Sequence, residues 1–223
     1  MMFDKFVILG GGDFAAEVAA YINDIYRALP ERGTMVTDVV SSGAVRLDAL
    51  TSILGTVPQI HARLDTVADL ASKRCVIAVG DPRLRFRLMQ EVFDAGGILG
   101  SVIHPSAYVA ATATIGSGTI VCPMVFVGPF ARVGANCALN VHAVVGHDVV
   151  VGDCAVLSPG ADINGHGTAG DGSFLGAGAI ISPKVSLGAF SKLSAGSVLN
   201  RSTEEGYLMH GNPAQGRQMF RRP

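Results

Sequence analysis

The sequence predicts a mixed fold, a small α/β domain followed by a parallel β-helix of hexapeptide repeats. Three observations carry this. Fifteen positions spaced six apart, from Ile115 to Leu199, are aliphatic except Ala169, which is still apolar. Glycine often follows directly, as at Gly116, Gly128, Gly134, Gly146, Gly152, Gly170, Gly176 and Gly188. Four residues after each aliphatic comes a small or slender residue, such as Thr119, Ala131, Cys137, Ala143 or Ser173. The period fixes which side chains point inward, which point outward and which stack.

The elements before the repeat follow in order. Residues 3–9 read as a buried strand, and Gly10-Gly11-Gly12 as a tight turn. Phe14, Val18, Tyr21, Ile22, Ile25 and Leu29 recur at helical spacing, which predicts a helix from Asp13 to about Ala28. A second strand is expected at 34–40 and a short helix at 68–72. A buried strand is expected at 75–79, closed by Gly80-Asp81-Pro82. A helix then runs from Arg83 to about Ala95, stopped by Gly96-Gly97. Strands alternating with helices imply a small parallel α/β layer. Residues 98–105 join the halves, with His104-Pro105 as the hinge. The repeat runs from about Val109 to Asn200. The last stretch breaks the pattern and carries Gly211-Asn212-Pro213-Ala214 and a basic end, Arg217, Arg221 and Arg222. The expected partition is therefore 1–102, 103–200 and a tail at 201–223.

Composition narrows the function classes. The net charge of −1 over 223 residues argues against a nucleic-acid partner, which calls for a basic excess or stripe. The longest apolar stretches fall far short of the ~20 residues a membrane span needs, so no membrane insertion is expected. Met1 to Val7 holds Asp4 and Lys5 and then enters a strand, so no signal peptide is expected. Cys75, Cys122, Cys137 and Cys154 show neither a CxxC pair nor metal-ligand spacing. Reduced cysteines in a cytoplasmic protein are the expectation.

Phase locates the chemistry. Three hexapeptides make one coil of 18 residues if each forms one side of a triangle. In the hexapeptide beginning at Val145, His147 and Asp148 take the third and fourth positions, which face outward. His142 and His166 are outward fourth positions as well. Adding one coil puts Gly165 over His147 and His166 over Asp148. His147 thus lies beneath a residue with no side chain, which leaves room for a substrate. A single outward histidine on a β-helix is ordinarily just solvated. Three close together, one beside a carboxylate, suit general-base work.

The stretch Val145-Gly146-His147-Asp148-Val149-Val150-Val151-Gly152-Asp153 resembles the active site of the hexapeptide-repeat sugar O-/N-acyltransferases. These include sialic acid O-acetyltransferases and the N-acetyltransferases of nucleotide-linked amino sugars used in surface glycans. The likeness spans nearly the whole chain. It takes in the strand–Gly-turn–helix start, Ala78-Val79-Gly80-Asp81 with Arg83, Arg85 and Arg87, Ile103-His104-Pro105-Ser106-Ala107, and the Gly211-Asn212-Pro213-Ala214 turn.

The resemblance implies a left-handed β-helix, a Rossmann-like N-terminal domain that binds a nucleotide sugar, and a homotrimer. It implies that His147 is the general base and Asp148 its support, with direct transfer from acetyl-CoA and no metal. Acetyl-CoA would touch Gly165, His166, Gly176, Ala177 and Ala195, in a groove between neighbouring β-helices. The acceptor would meet Gly10, Gly12, Asp13, Phe14, Asp38, Gly80 and Asp81. The chain also departs from the family. Its first loop is Gly10-Gly11-Gly12-Asp13-Phe14 where the family has Gly-x-Gly-Gly-His, and Asp13 would repel a diphosphate at a helix N-terminus that otherwise favours anions. Val156 stands where the family often has a second histidine.

Other classes remain open at this level. His142 and His147, with His104 thirty-eight residues before His142, loosely resemble the three zinc ligands of γ-carbonic anhydrases on the same kind of β-helix. A non-catalytic sugar-binding scaffold is a third reading. Gly10–Gly12 with Asp38 further on hints at a dinucleotide site, but roughly 100 residues fall short of a full doubly wound sheet.

Overall fold

The computed structural model describes residues 5–27 and 35–220. The expectations for Phe3, Asp4, Ala28, Leu29, Thr34, Arg221 and Arg222 lie outside the described residues. The chain divides into two units, Met1–Pro105 and Ser106–Pro223.

In the first unit, short β-branched runs form strands and the glycine turns launch helices. The elements are β1 (Lys5–Leu9), α1 (Asp13–Tyr26), β2 (Val36–Val40), α2 (Leu47–Leu54), β3 (Gln59–His61), β4 (Lys73–Ile77), α3 (Pro82–Asp94) and β5 (Ile98–Leu99). They build a parallel sheet in the order β3-β2-β1-β4-β5. Val7, Ile8 and Leu9 of β1 are fully buried, as a central parallel strand requires. Ala15, Val18, Ala19 and Ile22 form the inward stripe of α1. α3 starts with Pro82 at its first position and Asp81 as its cap, whose Oδ1 accepts the Leu84 N–H at 2.8 Å. The strand order reverses between β1 and β4. Right-handed crossovers then send α3 to the face opposite α1 and α2.

Three features differ from the sequence expectation. α2 and β3 were not foreseen, although Leu47, Leu50 and Leu54 hold a helical spacing and Gly55 ends α2 in the left-handed region (φ 69°). Residues 68–72 supply only a single 3₁₀ turn at Leu70–Ser72. Ile98–Leu99 is a strand of the sheet, not a connector.

In the second unit each hexapeptide contributes a two-residue strand and a corner. The strands form three parallel sheets, one per side of the coil. The first side stacks Tyr108–Val109, Phe126–Val127, Val144–Val145, Asp162–Ile163, Ile180–Ile181 and Val198–Leu199. The second stacks Thr114–Ile115, Arg132–Val133, Val150–Val151, Thr168–Ala169 and Ser186–Leu187. The third runs from Ile120–Val121 to Lys192–Leu193, and Tyr207–His210 extends it in parallel. Gln215–Gln218 then pairs antiparallel with Tyr207–His210, so the pattern-breaking tail is a hairpin. Every register pair is 18 residues apart within the coils, as in Val127↔Val145↔Ile163. Val127, Leu139, Val145, Leu157, Ile163 and Leu175 fill the coil interior.

The fourth position of the hexapeptide is a left-handed corner even for large residues: Met124, Phe130, His142, Asp148, His166 and Lys184 all have φ near +60°. At the third corner, however, Asn136 and Cys154 are fully buried. Asn136 Nδ2 donates to Cys154 Sγ one coil on, at 3.4 Å, so these two side chains stack on each other.

Candidate active site

His147 and Asp148 sit at the corner between the first and second sides. The backbone holds this corner from both directions: Asp148 N–H donates to Pro129 O, and His166 N–H to His147 O, each at 3.0 Å. His147 Nδ1 lies 2.9 Å from Asp148 Oδ2. With Nδ1–H as the donor to the carboxylate, Nε2 carries the lone pair. The imidazole leans over Gly165 so closely that a Cβ there would lie 2.4 Å from Nε2. His166 stacks above, its ring edge-on to His147 at 5.1 Å between centroids and its Nε2 4.0 Å from Asp148 Oδ2. His147, Gly165 and His166 line one cavity of about 430 Å³, together with Asp162 and Lys184. The sequence reading had not singled out Asp162 or Lys184, although the register (Val144↔Asp162) would have found the first.

The remaining sites expected for acetyl-CoA fall elsewhere. Ala177 and Ala195 are exposed at the preceding corner, one side of the coil away from His147, and Gly176 packs under the Ala195 backbone. Among the described residues, the group that could hold a metal ion is His147, Asp148 and His166, with ligand atoms within 4.8 Å of one another. This set shares only His147 with the His104, His142 and His147 of the zinc-enzyme alternative. His142 occupies the preceding corner, and His104 packs edge-on against Tyr21 near Asp24.

A second cavity, about 730 Å³, opens in the first unit at the carboxyl ends of the strands. Gly10, Gly11 and Gly12 follow β1, and Ser41 follows β2; Arg63 and Arg87 also line it, each paired with a carboxylate of the same lining, Asp65 and Glu91. Ligands of parallel α/β sheets bind at this edge, where the strand order reverses. Gly10 cannot be replaced freely: its φ is +130° and a Cβ would lie 2.6 Å from Ala78 O.

The other residues read from the sequence as acceptor-binding lie as follows. Asp38 is not a cavity residue: it is 1% exposed and both its oxygens are committed. Oδ2 accepts from Lys73 Nζ at 2.6 Å and Thr37 Oγ1 at 2.7 Å, and Oδ1 lies 2.9 Å from His61 Nε2. Burial alone would raise its pKa, but the bonds from Lys73, Thr37 and His61 hold it below the ordinary carboxylate value. Asp81 is spent on capping α3, and Val79 rather than Gly80 lines the cavity on that side. Asp13 is exposed and paired with the Arg46 guanidinium, so its charge is balanced locally. Phe14 is half-buried on α1 and, like Asp13, outside the cavity lining. Gly10 and Gly12 are in the lining.

No protein-family model matches the chain, and no curated protein matches it by sequence. Solved structures do. PerB from Caulobacter crescentus, in complex with CoA and GDP-perosamine, is 29% identical, with a TM-score of 0.84 over 96% of this chain and 98% of that one. A variant of perosamine N-acetyltransferase from the same organism, with the same two molecules, is 30% identical over 96% of this chain and 97% of that one, also with a TM-score of 0.84. The acetyltransferase domain of PglB from Neisseria gonorrhoeae shares the fold at 24% identity, with a TM-score of 0.82 over 96% and 99% of the two chains. The class defined by fold and site is thus an acyltransferase built on a β-helix. The chain belongs to the hexapeptide-repeat sugar acetyltransferases.

Proposed function

We propose that the chain transfers the acetyl group of acetyl-CoA, its co-substrate, to an amino or hydroxyl group of a sugar carried on a nucleotide, for surface-glycan synthesis in the cytoplasm. His147 is the general base. Its Nε2 takes the proton of the acceptor as that atom attacks the thioester carbon. A new N–C or O–C bond forms, the C–S bond breaks, and the proton passes from His147 to the departing sulfur. Asp148 fixes the imidazole tautomer and stabilises its cationic form.

The observation that carries this reading is the His147–Asp148 dyad at 2.9 Å, its imidazole lying over Gly165 in the lining of a cavity. The 29–30% identical structures, which hold CoA and GDP-perosamine, support the two substrates. In this reading residues 1–102 form the acceptor domain. The sheet order β3-β2-β1-β4-β5 and the cavity at Gly10–Gly12 support a Rossmann-like fold that takes the nucleotide. Residues 103–200 form a left-handed β-helix that assembles as a homotrimer, and residues 201–223 close it. Acetyl-CoA approaches along Gly165, His166, Gly176, Ala177 and Ala195.

The test is thiol release from acetyl-CoA with a panel of nucleotide-linked amino sugars and their hydroxyl counterparts. Turnover is expected with at least one acceptor. His147→Ala should lower kcat by about 10²–10⁴. Wild-type turnover in that variant overturns the mechanism.

A further inference from the structure

The cavity beside His147 contains a carboxylate that the dyad does not use. Asp162 is the outward residue of its strand, in register between Val144 and Ile180. The outward row on this side of the coil is otherwise apolar: Tyr108, Phe126, Val144, Ile180 and Val198. Asp162 is half-buried, and among the described residues its carboxylate has no hydrogen-bond or ion-pair partner. Burial raises its pKa. Lys184, the cation lining the same cavity, makes no ion pair with it among the described residues. Placing an unpaired carboxylate on an apolar wall costs free energy that a polar ligand would recover.

We propose that Asp162 is an acceptor-binding residue that selects a primary amine over a hydroxyl. The proposal rests on the transferase reading above and narrows its acceptor class. The reason is a count of hydrogens. During attack His147 Nε2 must receive one proton from the acceptor. A hydroxyl has only that one hydrogen, so it cannot also donate to a carboxylate. A primary amine has two. One N–H donates to Asp162, the other faces His147, and the lone pair points at the thioester. An acceptor that arrives as an ammonium donates to Asp162 in the same way and loses its extra proton to solvent before attack. The apolar neighbours strengthen the bond by excluding water. The N–C bond then forms, the C–S bond breaks, and the proton taken by His147 moves to sulfur.

The test compares Asp162→Ala and Asp162→Asn with the wild-type full chain. Steady-state kinetics would use a nucleotide-linked amino sugar that the wild type acetylates and the matching sugar with a hydroxyl in place of the amine. In Asp162→Ala the KM for the amine should rise about 10- to 100-fold, as for loss of a hydrogen bond to a charged group. The KM for acetyl-CoA should stay unchanged, and the preference for amine over hydroxyl should shrink. Asp162→Asn should fall between, because its amide oxygen still accepts an N–H. An unchanged amine KM in both variants overturns the proposal. So does an equal rise in Lys184→Met, which would make Asp162 merely its counterion. So does a change of oligomeric state with unchanged kinetics. Absence of turnover in the wild type would instead overturn the transferase reading, and this proposal with it.

Discussion

Gly165 does its work by lacking a side chain. An added Cβ would meet the His147 ring at 2.4–3.0 Å, and those atoms are the far end of a side chain that can turn away. Gly165 also has no left-handed φ that alanine would strain. Gly165→Ala should therefore fold with a melting temperature close to wild type, yet lose at least about tenfold in kcat, because a 1 Å misplacement of a reacting group is costly. An unaltered kcat would show that the imidazole acts from another position. Asp148→Asn should also lower kcat while leaving the KM for acetyl-CoA in place, since the amide can donate to Nδ1 and favour the wrong tautomer. At this scale the β-helix site was readable from phase alone: two residues 18 apart stack, so Gly165 over His147 and His166 over Asp148 follow by addition. Asp38 shows where reading stopped. Its distance from Gly12 suits a ribose, but sequence spacing does not reveal that Lys73, Thr37 and His61 surround it.

Elements depend on a different set of contacts. The buried Asp38 joins β2 to β3 through His61 and reaches Lys73 at the start of β4. Its folded pKa is lowered, so its contribution to stability is present above the ordinary carboxylate range and lost as pH falls through the folded value. Asp38→Asn should destabilise the first unit by about 3 kcal/mol at neutral pH, because it leaves a cation facing a neutral amide. The difference from wild type should narrow in acid, as denaturant titrations at several pH values would show. In the β-helix, the Asp153 carboxylate accepts the Ala135 N–H at 2.7 Å, and Asp171 accepts the Asp153 N–H at 2.9 Å. These rungs tie successive coils at one corner. Leu157→Ala, inside the coil, should cost about 2–5 kcal/mol because its neighbours cannot close on the void. The hexapeptide pattern displayed the inward aliphatic column, Leu157 included, because that position recurs at every sixth residue. α2 and β3 went unseen because they are short, and each draws its stability from packing rather than from a long periodic signal.

The whole molecule combines two ways of presenting a site. The first unit gathers loop residues at the edge of a parallel sheet, whereas the second displays side chains at corners of a ruled stack. No described helix is long and apolar enough to cross a membrane. All four cysteines are buried thiols outside any disulfide, and burial pushes the Cys75 thiol to about 11. A thiol reagent added to the native protein should therefore react far more slowly than with the denatured chain, because only the thiolate attacks. Rapid labelling of the native chain would contradict the packing described here. The β-helix was legible over its entire length. The cavity of the first unit was legible only at Gly10–Gly12, because Arg63 and Arg87 in its lining come from segments without periodicity.

The 18-residue stacking gives the β-helix something like a reading frame. An insertion of a complete coil between Asp148 and Asn164 would move His166 one storey away but set another residue in its former place, with every later side still aligned. An insertion of six residues would rotate the column, bringing a residue of the neighbouring side over His147. Length changes in such a chain are therefore quantised. Whole-coil additions alter which groups meet at the cavity while preserving the scaffold, so chemistry can be exchanged by editing storeys rather than by rebuilding walls.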